Sequence, residues 1–352
     1  MHVALNAAIT LRGTSGSART AKFLESALVA GGHEVELCKP QGRQGNKLAN
    51  GIRATWWDFV GFDRSTRAEV LIFPTNVGWA RSGRPSVLWM HDTMVLDHPT
   101  WFDRAFALHA RATFGFSVRA ATVVVTPSQN SRARIATRWP GSESKLRVIP
   151  WPSPEVVKHP RNLIPDSLTV LMLGVTEPHK RHTLGIEAVR LLRLRTSKNI
   201  SLRIVGPAGR SESNVIEMLA EIDPLNAWTR REILNSRQEV DEALSDAWCL
   251  LQCSLDEGFC LPLIESAACA LPAIHTGGGS MAEVHPPGNV RTDNPQAIAQ
   301  ELERLLDLAA YCKASELARK VALGSTLKHF QTAVCSVVEG TLGANLRSAW
   351  EQ

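Results

Sequence analysis

No stretch of the sequence approaches the roughly 20 consecutive apolar residues that a membrane-crossing helix needs, so no transmembrane span is expected. Met1-His2-Val3-Ala4-Leu5-Asn6 brings no basic run followed by a long apolar one, and no secretory leader is expected. The seven cysteines show no paired zinc-type spacing. Cys249 and Cys253 fall in an apolar run where buried free thiols are expected, which suits a reducing cytoplasm. No Gly-x-Gly-x-x-Gly occurs, which argues against a dinucleotide-binding dehydrogenase. No Asp-x-Asp occurs, so a sequence-local carboxylate clamp for a divalent cation is missing. Nor is there an aromatic RNA-binding stretch or a DNA-reading motif, and nucleic acid is not an expected partner.

What is present is globular. Hydrophobic residues make up 44% and charged residues 21%, a balance that excludes a disordered chain. At 352 residues the chain exceeds one ordinary core and suits two. The net charge of +5 is unevenly spread. Residues 1–158 carry 20 Lys and Arg against 11 Asp and Glu, a net +9, whereas residues 159–352 are net negative. A basic first half favours an anionic partner such as phosphate or a lipid head group. Arg43, Lys47, Arg53, Arg64 and Arg67 cluster in sequence around Trp56, Trp57 and Phe59, a mix that could rest on head groups.

Apolar runs of strand length alternate with helix-period segments, the pattern of stacked βα units with parallel sheets. In the first half, strands are predicted near residues 3–5, 35–37, 70–73, 87–91, 122–125 and 146–149. Helices are predicted over 18–30, 101–119 and 128–138. Prolines 150, 152, 154 and 160 then crowd a segment with no periodicity, read as a linker. A second series follows, with strands near 169–173, 202–205, 249–253 and 273–275. Its helices are predicted over 184–194, 213–222, 240–246, 261–270, 296–309, 314–323 and 327–340. The expected architecture is two doubly wound α/β domains, 1–158 and 159–328, facing across a cleft. A helical segment, 329–352, is expected to pack back toward the first domain. Ligands of such sheets lie just beyond the carboxyl ends of the strands.

Two such strand ends carry chemistry. Asp256-Glu257-Gly258-Phe259-Cys260-Leu261-Pro262-Leu263-Ile264-Glu265 follows one strand, with Pro262 suited to the first turn of a helix. That helix start offers unpaired N–H groups and a positive dipole end to a diphosphate. Glu257 in the loop and Glu265 one turn in can accept hydrogen bonds from sugar or ribose hydroxyls. Gly174-Val175-Thr176-Glu177-Pro178-His179-Lys180-Arg181-His182 follows another strand, a basic cluster suited to phosphate oxygens.

Together these segments resemble the retaining glycosyltransferases of family 4, which have the GT-B fold. Glu257 through Glu265 is similar to that family's E-G-F-G-L-P-x-x-E motif, and Gly174 through Lys180 to a segment of its mannosyltransferase-like branch. Gly16 through Arg19, Phe73 through Asn76, His91-Asp92, His98 through Phe102, Val125 through Ser128 and Glu283-Val284 follow in matching order. The resemblance implies that Glu265 holds the nucleotide ribose and that Lys180, with Arg181 beside it, holds the diphosphate. It implies that Glu257 and the backbone of Gly258, Phe259, Cys260 and Leu261 bind the transferred sugar and its phosphate. His91 would lie beside the reacting centre, and Gly16 would let the first loop approach the phosphates. The implied activity is metal-independent transfer of a hexosyl group, with no cofactor, from a GDP- or UDP-sugar to an acceptor glycan or lipid-linked sugar. The implied setting is the cytoplasm, with peripheral contact at the inner membrane face through the basic first domain.

Departures from the pattern leave two alternatives open: a catalytically silent nucleotide-sugar-binding protein, and a GT-B-like epimerase or phosphorylase. Cys260 stands where the family has glycine, and a side chain there is expected to narrow the sugar pocket or change its preference. Ala18 also replaces a glycine. Val175 stands where many relatives carry arginine, a charge that His179 or Arg181 could supply.

Overall fold

The computed structural model describes residues 1–8, 16–40 and 47–350. They form two compact units, Met1–Pro150 with Leu327–Gln352, and Trp151–Thr326.

The first unit is built on a six-stranded sheet of order β2-β1-β3-β4-β5-β6, every pairing parallel. The strands are β1 (His2–Asn6), β2 (Glu34–Cys38), β3 (Val70–Phe73), β4 (Ser86–Trp89), β5 (Val123–Thr126) and β6 (Leu146–Val148). Every residue of β3, β4 and β5 is buried, because helices cover both faces of a parallel sheet. That is why they read as unbroken apolar runs, while the edge strand β2 is mixed. The last helix, Leu327–Trp350, belongs to this unit. Its Phe330 packs against Phe23 and Trp89, ring centroids 6.3 Å apart in both pairs.

A helix at Lys47–Trp56, continued by a π-helical turn at Trp57–Gly61, went unpredicted. It corrects the picture of an aromatic-basic face. Trp57 is in the core and donates to Asn6 Oδ1 at 2.8 Å, and Phe59 packs on Phe116, so of the three aromatics only Trp56 stands largely in solvent. Arg53 donates to the Pro40 carbonyl, and Arg43 lies outside the described residues.

The second unit holds β7 (Leu168–Leu173), β8 (Ile200–Val205), β9 (Thr229–Glu232), β10 (Cys249–Gln252) and β11 (Ala273–His275). Their order is β11-β10-β7-β8-β9, again all parallel. The chain starts at the middle strand, winds outward through β8 and β9, then crosses back to add β10 and β11 on the other side. The winding direction thus reverses between β7 and β10. Such a switch point leaves a crevice outside the carboxyl ends of the strands. Cys249 and Cys253 are buried free thiols, pushed up in pKa by burial.

The units divide after Pro150, eight residues before the boundary read from the sequence. Trp151 is buried, Ser153 donates from its amide to Ser325 and from its hydroxyl to Ala322, and the Val157 amide donates to Ala268. Prolines stiffen this segment, and these hydrogen bonds fasten it to the second unit.

Candidate functional site

The two loops at the switch point are joined to each other. After β7 the chain makes a single helical turn, Pro178–Lys180, then reverses through Arg181 at φ 49° into the helix His182–Thr196. After β10 it runs through 253–259 to Cys260 and the helix Leu261–Ala268. The Leu255 amide donates to the His179 carbonyl at 2.8 Å, and Arg181 Nε donates to the Cys253 carbonyl at 2.7 Å. Across that seam Lys180 Nζ meets Glu257 Oε1 at 2.5 Å, and Ser254 Oγ donates to the same oxygen at 2.7 Å. Both charged side chains keep a small opening to solvent, 18% for Lys180 and 10% for Glu257.

Glu257 is also held through its backbone. Its carbonyl accepts from the Ser280 amide and the Ser280 hydroxyl, each at 3.0 Å. Gly279, at φ 61°, lies so close that a side-chain carbon there would run into the amide and carbonyl of Glu257. Gly279→Ala should therefore displace this loop, adding a left-handed strain of about 1–2 kcal/mol to a backbone clash. We expect a loss of at least about 2 kcal/mol in denaturant unfolding. An unchanged midpoint would show that the loop yields freely.

Cys260 opens the next helix at φ 70°, a conformation that favours glycine, and its side chain provides no cap. The thiol is buried in an apolar cluster with Leu171, Leu173, Val205, Leu263 and Met281, and burial, with Glu257 nearby, pushes its pKa well up. Gly258 and Phe259 are buried beside it, and Leu261 is half-buried at the helix start. Glu265 is not the solvated surface charge that its sequence position allows. Its side chain is 5% exposed and its Oε1 receives Arg237 Nη1 at 2.5 Å.

Arg181 and His179 do not supply the charge that Val175 lacks. Arg181 directs its guanidinium to the Cys253 carbonyl, Thr276 Oγ1 and Asp293, so it braces the loops. His179 is buried, and burial together with Lys180 lowers its pKa, leaving it neutral at pH 7.

In the first unit, His91 follows β4. Its amide donates to Asn76 Oδ1 at 2.8 Å, and its Nε2 lies 3.0 Å from the Pro74 carbonyl. A carbonyl only accepts, so Nε2 carries the proton, and burial lowers the ring's pKa. Ser131 Oγ donates to the His91 carbonyl, and Ser128 caps the helix Gln129–Arg138 that carries Ser131. The segments Phe73–Asn76 and Val125–Ser128 thus serve as the mount of His91. Gly16 starts the helix Gly16–Ala30, while the loop before it, 9–15, lies outside the described residues.

Arg237 was missed by sequence reasoning. Ser236 and Glu239 form a capping box, a signature that places Arg237 at the first position of the helix Arg237–Asp246. Nothing in the sequence points from there to Glu265, 28 residues on.

Residues 157–321 match the family described as glycosyl transferases group 1, a span just under half of the chain. No curated protein sequence matches it. Among solved structures, the chain is similar to sucrose-phosphate synthase from Thermosynechococcus elongatus, with 17% identity, 98% of this chain and 100% of that one covered, and a TM-score of 0.76. It is also similar to HepE from Anabaena in complex with UDP and glucose, with 13% identity, 97% and 100% covered, and a TM-score of 0.72. WaaG, a glycosyltransferase involved in lipopolysaccharide biosynthesis, gives 16% identity, 97% and 100% covered, and 0.69. The architecture is therefore GT-B. The second unit carries a group 1 glycosyl transferase domain, and the chain is a glycosyltransferase. No described helix is long and apolar enough to cross a membrane.

Proposed function

We propose that the chain is a retaining transferase of family 4 that moves a hexosyl group from a UDP- or GDP-sugar to an acceptor hydroxyl of a glycan, glycolipid or lipid-linked intermediate. The observation that carries this reading is the Lys180–Glu257 pair, 2.5 Å apart at the switch point of the sheet and beside an uncapped helix start. A pair of this kind is ready to exchange partners. Lys180 Nζ turns to the diphosphate oxygens, the helix start adds its N–H groups, and Glu257 turns to the sugar hydroxyls. Glu265 takes the ribose, and the backbone from Gly258 to Leu261 lines the sugar phosphate. The resemblance assigns His91 to the reacting centre and Gly16 to the phosphate approach. It favours GDP-mannose through the segment Gly174–Lys180, while HepE, solved with UDP-glucose, supports the donor class.

In the reaction the acceptor oxygen bonds to the anomeric carbon as the bond from that carbon to the diphosphate oxygen breaks. The acceptor proton passes to the departing diphosphate on the same face, and Lys180 stabilises the charge that develops there. That arrangement asks for no metal and no cofactor. The reading places the reaction in the cytoplasm, with the basic first unit against an anionic acceptor or the inner membrane face.

UDP or GDP should raise the melting temperature by several degrees, since ligand at 100 times its Kd adds about 2.7 kcal/mol. UDP-glucose or GDP-mannose should be turned over to the nucleoside diphosphate equally well with and without EDTA. Binding without release would establish the silent binding protein instead, and loss in EDTA restored by Mg²⁺ or Mn²⁺ would refute metal independence.

A further inference from the structure

We infer that Arg237 is a positioning residue for donor recognition, fixing the Glu265 carboxylate so that the site reads the ribose hydroxyls of the nucleotide. The inference rests on the proposed assignment of Glu265 to the ribose.

Arg237 is held at both ends. Its backbone is set by the capping box, in which Ser236 Oγ accepts from the Glu239 amide and the Glu239 carboxylate accepts from the amides of Ser236 and Asn235. Its guanidinium spans two carboxylates, Nη1 to Glu265 Oε1 and Nη2 to Asp241 Oδ1, both at 2.5 Å. The surroundings are unequal. The Glu265 side chain is 5% exposed, that of Asp241 is 51% exposed, and Arg237 lies between at 40%. Burial works against the guanidinium charge, yet Glu265 and Asp241 overcome it and hold its pKa above the ordinary value.

The geometry says what such a clamp does. A planar guanidinium fixed on Asp241 through Nη2 offers Nη1 in one direction only. With Oε1 taken, the plane of the Glu265 carboxylate is set, and so is the direction of Oε2. A ribose diol needs a carboxylate oriented in advance, because a freely turning one must be ordered when the ligand binds. The helix Leu261–Ala268 places Glu265 on the same element whose start faces the diphosphate. Nucleotide phosphate and ribose are thereby read from one helix, with Arg237 bracing it from the helix Arg237–Asp246. Contacts of this kind act equally in ground and transition states, so the effect belongs to donor affinity and not to the chemical step.

The test uses the full chain and titrates UDP, GDP and their 2′,3′-dideoxy analogues by calorimetry. Arg237→Ala should weaken the ribonucleotide roughly tenfold, the loss of one charge-assisted contact acting through Glu265. It should leave the dideoxy analogue within about twofold of wild type, because that ligand has no diol to read. The effect should appear in the donor KM with kcat nearly unchanged. Arg237→Lys should rescue part of the loss, since an ammonium restores the charge but not the fork, and it also serves where alanine fails to fold. Glu265→Gln separates the two ideas. If it penalises ribonucleotide and dideoxy analogue alike, the ribose assignment fails, and the role of Arg237 with it. If it discriminates between them but the Arg237 variants do not, the assignment stands and the positioning role is overturned. Failure of wild type to bind either ribonucleotide would overturn both.

Discussion

Lys180→Ala should reduce kcat/KM for the sugar donor roughly ten- to a hundredfold while leaving the two sheets intact. In the free protein Lys180 Nζ lies 2.5 Å from Glu257 Oε1, its side chain 18% exposed. Burial to this degree amplifies a charge-assisted contact with a departing diphosphate to about 1.5–3 kcal/mol, which is the expected factor. The mutation also leaves Glu257 without its cation, and a buried carboxylate that loses its partner resists the folded state. Ser254 Oγ still donates to Glu257 Oε1 and Ser280 still holds its backbone, so the stability loss should stay well below that of a broken core. The measurements are steady-state kinetics with the donor varied, a donor Kd and a melting curve. Lys180→Gln keeps a hydrogen-bond donor without the charge, and it should remain at least fivefold below wild type by the same electrostatic argument. Kinetics unchanged in both variants would move the phosphate site away from this loop.

The elements legible in the sequence are those whose burial leaves a compositional mark. Val70–Phe73 and Leu168–Leu173 are central parallel strands, and their apolar runs announce them. Thr229–Glu232 is also a strand, but it lies at an edge, reads Thr-Arg-Arg-Glu, and buries only Thr229, so no run or alternation marks it. The helix at Lys47–Trp56 contains Asn50-Gly51, a pair that reads as a turn. Acidic caps define two breaks that helical periodicity does not mark. Asp103 starts the helix at Arg104 after a separate turn at Pro99–Trp101, and Asp307 starts the helix at Leu308 after one ending at Arg304.

The candidate site divides in the same way. Lys180 and Glu257 are legible because each sits on a recognisable strand-to-helix turn, and the structure brings them together. Arg181 belonged to the same run, but its left-handed backbone turns the guanidinium to the Cys253 carbonyl. In the sequence Cys260 is only a side chain added to a glycine position, and the packing shows that the core receives it. Arg237 could not be found because its partner is fixed by tertiary packing, with no spacing rule connecting the two helices.

Arg161→Ala should lower the stability of the second unit by about 3–5 kcal/mol, a melting shift on the order of 10 °C. Arg161 directs its guanidinium at four carbonyls: Ala247 at 2.6 Å, Leu244 at 3.0 Å, Ser245 at 3.1 Å and Cys269 at 3.3 Å. These are carbonyls at the carboxyl ends of the helices Arg237–Asp246 and Leu261–Ala268, where helix carbonyls lack partners and a cation is favoured. Its backbone amide donates to Ser315 Oγ at 2.7 Å, and Ser315 Oγ donates to the Ala270 carbonyl, so the segment after the prolines is tied to the same corner. Alanine removes every guanidinium contact at once, three of them part-buried. Lysine returns the charge but not the planar fork, and it should recover less than half of the loss. The far ends of these two helices carry Arg237 and the turn at Cys260, so the same residue stabilises the elements that present the site. Thermal unfolding should be followed with Trp228 and Trp248 of this unit as the fluorescent reporters, since two units need not melt together. A shift below about 2 °C in both Arg161→Ala and Arg161→Lys would show that solvent replaces the clasp, and that the two helix ends are held by packing alone.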